Sequence, residues 1–200
     1  MGEQSKDLSL ALAATIRHYG SGGVADDLDT LAGAREWVRE HADALGVPSR
    51  FAQFALSDAD REAIIQLRQA VRALFAHAVA PAPPSRADAR RLLPLDTALT
   101  RVNAAASRVS VTPELVWPAS APPASHLHPA AAPPLDLLLA AIARATIAFL
   151  AGPDRELLRA CTAPRCVRYF LKGHGRQEFC KPSCSNRARV ARHYARHHPT

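Results

Sequence analysis

All four cysteines of this 200-residue chain lie within its last 40 residues. They form two close pairs joined by a stretch of hairpin length, which is typical of a tetrahedral thiolate cage, and Zn²⁺ held by four cysteines is a closed, structural site. Two disulfides or an iron–sulfur cluster are the alternatives. Because the cysteines cluster and residues 1–30 show no secretory signal pattern, we predict one structural zinc ion. Its predicted ligands are Cys161, Cys166, Cys180 and Cys184.

Four thiolates fill the coordination shell of zinc. A histidine ligand would therefore require one cysteine to be left out, and hydrolysis at this metal is not expected because catalytic zinc keeps an open position. The chain also lacks a glycine-rich phosphate loop, a nucleophile elbow and a His–carboxylate constellation. We therefore predict that the protein is not an enzyme.

The positive charge of the chain is concentrated around the cysteines. Residues 151–200 carry 11 Lys and Arg against 3 Asp and Glu, a net charge of +8, whereas residues 1–150 carry 14 against 15. A near-neutral body with a basic module at one end predicts a polyanionic partner for that module. The alternative is a solvated basic helix that serves only solubility.

A helix is predicted from about Ser183 to His197, directly after the last cysteine. Its arginines recur on one face, where they can meet phosphates and the edges of bases in duplex DNA. Val190 and Tyr194 are expected to pack on the preceding hairpin. The predicted DNA contacts are Lys181, Asn186, Arg187, Arg189, Arg192, His193 and Arg196. For Asn186 and Arg187, local hydrogen bonds that order the zinc knuckle are the alternative.

The rest of the cysteine region predicts a small zinc-stabilised unit. Cys161 and Cys166 form a first knuckle, Val167–Phe179 is long enough for a β-hairpin, and the second cysteine pair opens the basic helix. Zinc binding supplies the folding energy that such a small unit lacks.

The first 150 residues predict a helical domain. Helical periodicity and capping residues indicate helices near Leu8–Ile16, Leu31–Leu45, Ser57–Pro81, Ser85–Ala106 with a bend at Pro94, and Leu135–Leu150. The last of these is apolar on nearly every face and should lie at the centre of a bundle. Leu95, Leu99 and Val102 are expected to point inward. A strand is predicted within residues 107–119, followed by an extended surface loop from Pro118 to Pro134.

The predicted fold class is mainly α, in the α+β sense. A helical regulatory domain with a short β segment, residues 1–152, precedes a treble-clef-like zinc finger of β-hairpin and helix, residues 153–200. No run of 18 apolar residues is present, so we expect no transmembrane helix, no membrane partner and a cytoplasmic protein.

A few polar residues interrupt the apolar faces of the predicted helices. They could line a pocket for an unknown small-molecule effector, although a satisfied polar network in the core is the alternative. These residues are Thr15, Arg68, Arg72 and Asn103.

The ending Cys184-Ser185-Asn186-Arg187, with the cysteine pairs before it, resembles the CGNR zinc finger of bacterial transcription regulators. Ser185 stands where that family has glycine. The N-terminal region resembles the family's helical ABATE domain, described as a stress-induced regulator. The resemblance implies a zinc-dependent, DNA-binding regulator whose N-terminal domain senses a signal or forms a homodimer. An RNA- or protein-binding adaptor that uses the finger as its platform is the alternative.

Overall fold

The computed structural model describes residues 3–19, 23–44, 54–88 and 91–197. Within these ranges the chain forms six α-helices and three antiparallel strand pairs, as the predicted α+β class requires. In chain order the elements are α1 (Glu3–Ala14), β1 (Ile16–Tyr19), β2 (Gly23–Asp26), α2 (Leu31–Glu40), α3 (Asp58–Ala78), α4 (Leu95–Ala106), β3 (Val111–Val116), β4 (Ala124–Pro129), α5 (Pro134–Ala151), a 3-10 turn (Pro153–Leu157), β5 (Leu158–Ala160), β6 (Tyr169–Leu171) and α6 (Pro182–His197).

Helix α5 is the centre of the bundle, as its apolar sequence predicts. It contacts α1, α3 and α4, and Leu138 and Ile142 have no exposed surface. By length and composition alone α5 could also cross a membrane, but half of it is buried inside the protein. An apolar helix surrounded by other helices serves here as the core of the domain.

The starts of α2 and α3 follow the capping residues in the sequence. The Thr30 hydroxyl accepts from the Gly33 amide, and Ser57 forms a reciprocal capping box with Asp60. Such caps satisfy amides that have no partner within the helix. Gly33 has a second role, because a Cβ atom there would lie 2.1 Å from the carbonyl oxygen of Asp27.

Helix α1 ends earlier than predicted. The predicted helix runs to Ile16, but the structure ends it at Ala14 and places Ile16 and Tyr19 in β1, which pairs with β2. The Thr15 hydroxyl donates to the carbonyl of Leu12 at 2.8 Å and closes the last turn. Helix α2 likewise ends at Glu40, and the remainder of its predicted extent to Leu45 lies partly outside the described residues.

The helix predicted from Ser85 is also shorter in the structure. Helix α4 begins at Leu95, and Pro94 is its N-cap instead of a bend within a longer helix. A residue that precedes proline avoids helical geometry, which explains the boundary. Val102 is buried as predicted, but Leu95 and Leu99 are 39% and 42% exposed, so their predicted inward orientation is wrong.

The predicted strand within residues 107–119 is confirmed as β3. Its partner β4 lies inside the stretch Pro118–Pro134, so the prediction of a plain extended loop there is wrong. Strand pairing is not a local property, which is why the proline-rich composition concealed it. Ser110 and Ala130 close the base of this hairpin through a backbone hydrogen bond of 2.8 Å.

The helical bundle and the cysteine region share one hydrophobic core. Phe75 of α3 is fully buried, and its ring packs edge-on against Phe149 of α5 and Tyr169 of β6, with centroids 5.5 Å apart in both pairs. Leu158 of β5 belongs to the same buried cluster. The strand pair β5–β6 therefore packs directly on the bundle.

A buried arginine lies at this junction. Arg72 is 2% exposed, and its Nε and Nη2 atoms donate to the two carboxylate oxygens of Asp88 at 2.8 and 3.0 Å. Nη1 donates to the carbonyl of Ala13 at 2.5 Å, and Nη2 also reaches Ser85 Oγ and the carbonyl of Val167 at 3.0 and 3.1 Å. One guanidinium thus holds α1, α3, the segment before α4 and the first knuckle together.

Tyr169 completes the network. Its hydroxyl donates to Asp88 Oδ2 at 2.7 Å, and its ring centre lies 5.2 Å from the guanidinium carbon of Arg72. Burial and the neighbouring Asp88 carboxylate raise the pKa of Tyr169 well above its usual range. The phenol therefore remains a hydrogen-bond donor at neutral pH.

We expect Asp88→Ala to destabilise the zinc-loaded protein by about 3–5 kcal/mol, because it leaves the Arg72 charge buried without its carboxylate. The free energy of unfolding in urea measures this. Glu62→Ala, an exposed carboxylate on α3, is the matched control and should cost no more than about 0.5 kcal/mol. A difference of less than about 1 kcal/mol between the two variants would contradict the proposed importance of the network.

Candidate metal centre and nucleic-acid interface

The four cysteine sulfurs converge on one small volume. All lie within 4.8 Å of one another, and the Sγ–Sγ separations are 3.7 Å for Cys166–Cys180 and 3.5 Å for Cys180–Cys184. A disulfide would bring two sulfurs to about 2 Å, whereas a tetrahedral zinc site with Zn–S bonds near 2.3 Å places its sulfurs about 3.8 Å apart. The donor set and its spacing therefore fit one zinc ion.

The thiols are strongly coupled to one another. Hydrogen bonds from Cys166 and Cys180 lower the pKa of Cys161 to about 3. Hydrogen bonds from Cys161 and Cys166 raise the pKa of Cys180 far above its usual range. Four sulfurs within 4.8 Å of one another repel when they are ionised, so several thiolates need a cation between them, which zinc supplies.

Short turns place both cysteine pairs. In the first knuckle the Cys166 amide donates to the carbonyl of Ala163 at 3.0 Å, and Arg165 has a φ of 63°, the left-handed region. That conformation costs a residue with a side chain about 1–2 kcal/mol. In the second knuckle the Cys184 amide donates to the carbonyl of Lys181 at 3.0 Å.

The β-hairpin of this region differs from the predicted one. The predicted hairpin folded Val167–Phe179 back on itself, but β6 pairs instead with β5, which precedes the first knuckle. Leu158 lies opposite Leu171, and the Cys161 amide donates to the carbonyl of Arg168 at 2.9 Å. The first knuckle is thus the tip of the hairpin, and the pairing of its two strands holds Cys161 and Cys166 together.

Helix α6 confirms the predicted extent of the basic helix, and Ser185 lies within it in helical conformation. Its only buried residues are Cys184 and Ala188, and every residue from Arg189 to His197 is exposed. Val190 and Tyr194 are 67% and 65% exposed, so their predicted packing on the hairpin is wrong. Tyr169 of the hairpin packs on the bundle and not on α6. The second half of α6 therefore extends into solvent.

The predicted DNA contacts fall into two groups. Arg187 is half-buried and donates from Nη2 to Cys184 Sγ at 3.0 Å, so it neutralises charge at the metal centre. Asn186 accepts from Arg189 at 2.9 Å on the helix surface. The remaining predicted residues are all exposed and stay candidates for contact with a partner: Lys181, Arg189, Arg192, His193 and Arg196.

A cleft of about 420 Å³ opens beside the start of α6. Arg176, Lys181 and Arg192 line it, and Glu178 is the one carboxylate in its lining. Arg176 is not among the residues predicted from the sequence to bind DNA, because it lies outside the predicted helix, although it lines this cleft together with helix residues. The cleft extends the positive surface of α6 towards the second knuckle, where an anion such as a phosphate group can enter.

The four residues predicted for an effector pocket have different surroundings in the structure. Arg68 donates to Thr15 Oγ1 at 2.8 Å and to both carboxylate oxygens of Asp26 at 2.5 and 2.6 Å. Partial burial raises the pKa of Asp26, but the hydrogen bonds and charge of Arg68 outweigh that effect and bring it below its ordinary value. Arg72 belongs to the junction network described above, and Asn103 is exposed on α4.

Comparison with known families agrees with this architecture. The ABATE family, described as "Putative stress-induced transcription regulator", matches residues 6–153, and the CGNR zinc finger matches residues 158–197. No curated protein matches the chain. The chain belongs to the ABATE family and ends in a CGNR zinc finger, which confirms the resemblance found in the sequence. Its cofactor is one structural Zn²⁺, held by the four clustered cysteines.

Arg187→Ala should lower zinc affinity about 10–100-fold, because groups that hydrogen-bond to a ligand atom affect metal binding on that scale. Competition with a chromophoric zinc chelator at fixed pH and salt measures the change. Arg189→Ala removes the same charge from the same helix without touching a sulfur, and should leave the affinity near that of the original protein. Equal losses in both variants would show that net charge, and not the Arg187–Cys184 contact, controls zinc binding.

Proposed function

We propose that this protein is a zinc-dependent, cytoplasmic transcription regulator that binds duplex DNA through α6 and has no catalytic activity. The single observation that carries the proposal is the exposed end of α6. Arg189, Arg192 and Arg196 lie there at helical spacing, beyond the part of the helix that packs on the zinc centre. A helix of this kind fits the major groove, where arginines reach phosphates and guanine edges.

The electrostatics of the finger support the same proposal. Arg176 and Lys181 extend the positive surface beyond α6. Residues 151–200 have a net charge of +8, because only 3 acidic residues offset their 11 Lys and Arg. Family membership adds support through the description of the ABATE family as a stress-induced regulator. An adaptor that binds structured RNA or a protein is the alternative, and few aromatic side chains are exposed on the finger for stacking on unpaired bases.

Selection from a random duplex library with the zinc-loaded protein will provide the binding site. On that duplex, Arg189→Ala combined with Arg192→Ala should weaken binding and reduce the slope of log affinity against log salt by about 0.9 for each phosphate contact removed. Fluorescence anisotropy between 50 and 300 mM salt, roughly the range over which such slopes are resolved, measures both quantities.

The matched control removes two exposed arginines from the helical domain, Arg17→Ala with Arg39→Ala, and should leave the slope unchanged. An unchanged slope in the α6 variant would rule out this helix as the DNA-binding surface. Stronger binding to structured RNA than to the selected duplex in direct competition would favour the adaptor.

We also propose that the protein is a homodimer formed through the β3–β4 hairpin. The register places Val111, Pro113, Leu115 and Leu127 on one face, and Leu115 is 70% exposed. A two-stranded hairpin with an uncovered apolar face gains stability when another surface covers it. The chain has no Lys or Arg between residues 108 and 144, so this face does not suit a polyanion. Two copies of α6 would also provide the contact area that one short helix lacks.

Leu115→Glu combined with Leu127→Glu should convert the dimer to a monomer, because it places two like charges per chain in the interface. Light scattering coupled to size-exclusion chromatography measures the mass at micromolar concentration. The control, Thr112→Glu with His126→Glu, adds the same number of acids to the opposite face of the hairpin and should remain dimeric. A monomeric original protein, or a double leucine variant that stays dimeric, would disprove this interface.

A further inference from the structure

A second cleft, of about 770 Å³, lies where the bundle meets the finger. The ends of α3 and α5, the first half of α4, and residues 155–159 surround it. Its volume falls within the range of small-molecule sites, about 300–1,000 Å³. None of the residues predicted for an effector pocket from the sequence lines it.

The wall of this cleft is apolar. Leu74 and Leu150 contribute from α3 and α5, and Leu95 and Leu99, one turn apart on α4, complete the wall. The last two side chains are 39% and 42% exposed, although helical periodicity places them on the same stripe as the buried Val102. The uncovered half of that stripe therefore faces the cleft, where an alkyl or aryl group would remove it from water.

The rim of the cleft is positively charged. Arg155 and Arg159 are exposed there, together with His77 and the carboxylate of Glu156. Neither arginine forms an ion pair with any residue that the structure describes. Arg159 Nη1 donates to the carbonyls of Glu156 and Leu158 at 2.7 Å each, which holds its guanidinium against the rim.

The rim is continuous with the zinc centre. Residues 155–159 run into β5, whose Leu158 is buried in the common core, and Cys161 follows directly after that strand. The Lys172 amide donates to the carbonyl of Leu157 at 2.8 Å and fixes this segment to the end of β6. A molecule in the cleft would therefore contact both the helical bundle and the strand that leads directly to the first metal ligand.

We propose that this cleft binds a hydrophobic carboxylate. Its alkyl or aryl part lies between the leucines, and its carboxylate meets Arg155 and Arg159. Arginine is suited to this role because its planar guanidinium recognises carboxylates through paired hydrogen bonds. Binding stabilises the segment before Cys161 and thereby slows the loss of zinc. Ligand binding and slower zinc loss do not depend on the proposed function, because neither involves DNA. Only the description of the ligand as an effector of a transcription regulator rests on that function.

Isothermal titration of the full-length, zinc-loaded protein with decanoate tests the site. We expect saturable binding with one site per chain, and binding about ten-fold weaker for decanol and for decylamine, which share the alkyl chain but lack the carboxylate. Leu99→Gln and Arg155→Gln should each weaken decanoate binding about ten-fold. Leu92→Gln, an equally conservative change at an exposed leucine outside the cleft lining and outside the β3–β4 hairpin, should leave it unchanged.

Thermal unfolding of each variant checks that the fold is retained. We expect it to be, because the side chains of Leu99 and Arg155 are exposed. Absence of saturable binding below about 1 mM, equal affinity for decylamine, or an unaltered affinity in both cleft variants would overturn the proposal. Zinc transfer to a chelator should slow about three-fold or more with saturating decanoate, as ligands of the folded state stabilise it. An unchanged transfer rate would disprove the link to the metal centre, whatever the outcome with DNA.

Discussion

A guanidinium buried away from water needs hydrogen-bond partners for its donors. The partners of Arg72 come from several segments of the chain, so the packing of those segments depends on this side chain. Its donors reach the end of α1, the segment containing Ser85 and Asp88, and the carbonyl of Val167 beside the first knuckle. None of these segments can move away without leaving a buried charge or a buried carbonyl unsatisfied, which costs several kcal/mol. The hydrogen bonds of this one side chain therefore fix the zinc finger against the helices, together with the packing of Tyr169 and Leu158 on the bundle.

The finger has little hydrophobic core of its own. Its separate buried cluster contains only three cysteines and Ala163, with Phe170 and Phe179 packed against it. Two sources of stability replace a larger core: the metal, which is worth several kcal/mol to a small domain, and the packing of β5 and β6 on the bundle. Leu158 joins the two, since it lies in the bundle core three residues before Cys161. Metal binding and bundle packing are thus coupled through one short strand.

The features that could be predicted from the sequence are local ones. The cysteine spacing identifies both knuckles, and Ser57 identifies the start of α3, because a knuckle or a cap needs only residues within one turn. The partner of β6 is not local, and residues 172–175 resemble a hairpin turn although β6 pairs elsewhere. Val190 and Leu99 show a related limit, since periodicity identifies an apolar stripe but not whether another element covers it. For Arg72 the sequence indicates a polar residue on an apolar helix face. It does not identify the hydrogen-bond partners, because Asp88 and Val167 are distant along the chain.

Fixing the hairpin to the bundle also fixes the direction in which α6 leaves the molecule. Its exposed end, from Arg189 to His197, is about 13 Å long at 1.5 Å per residue. An α-helix with its side chains is about 10–12 Å across, which matches the roughly 12 Å width of the major groove. A helix on a flexible tether would lose orientational freedom on binding, whereas a helix held by a packed core does not pay that cost. Its affinity for DNA, under the proposed function, depends on the bundle as well as on its arginines. Under that proposal, a change in the bundle can alter DNA binding without any contact to α6, which is the physical requirement for a regulator that responds to a ligand.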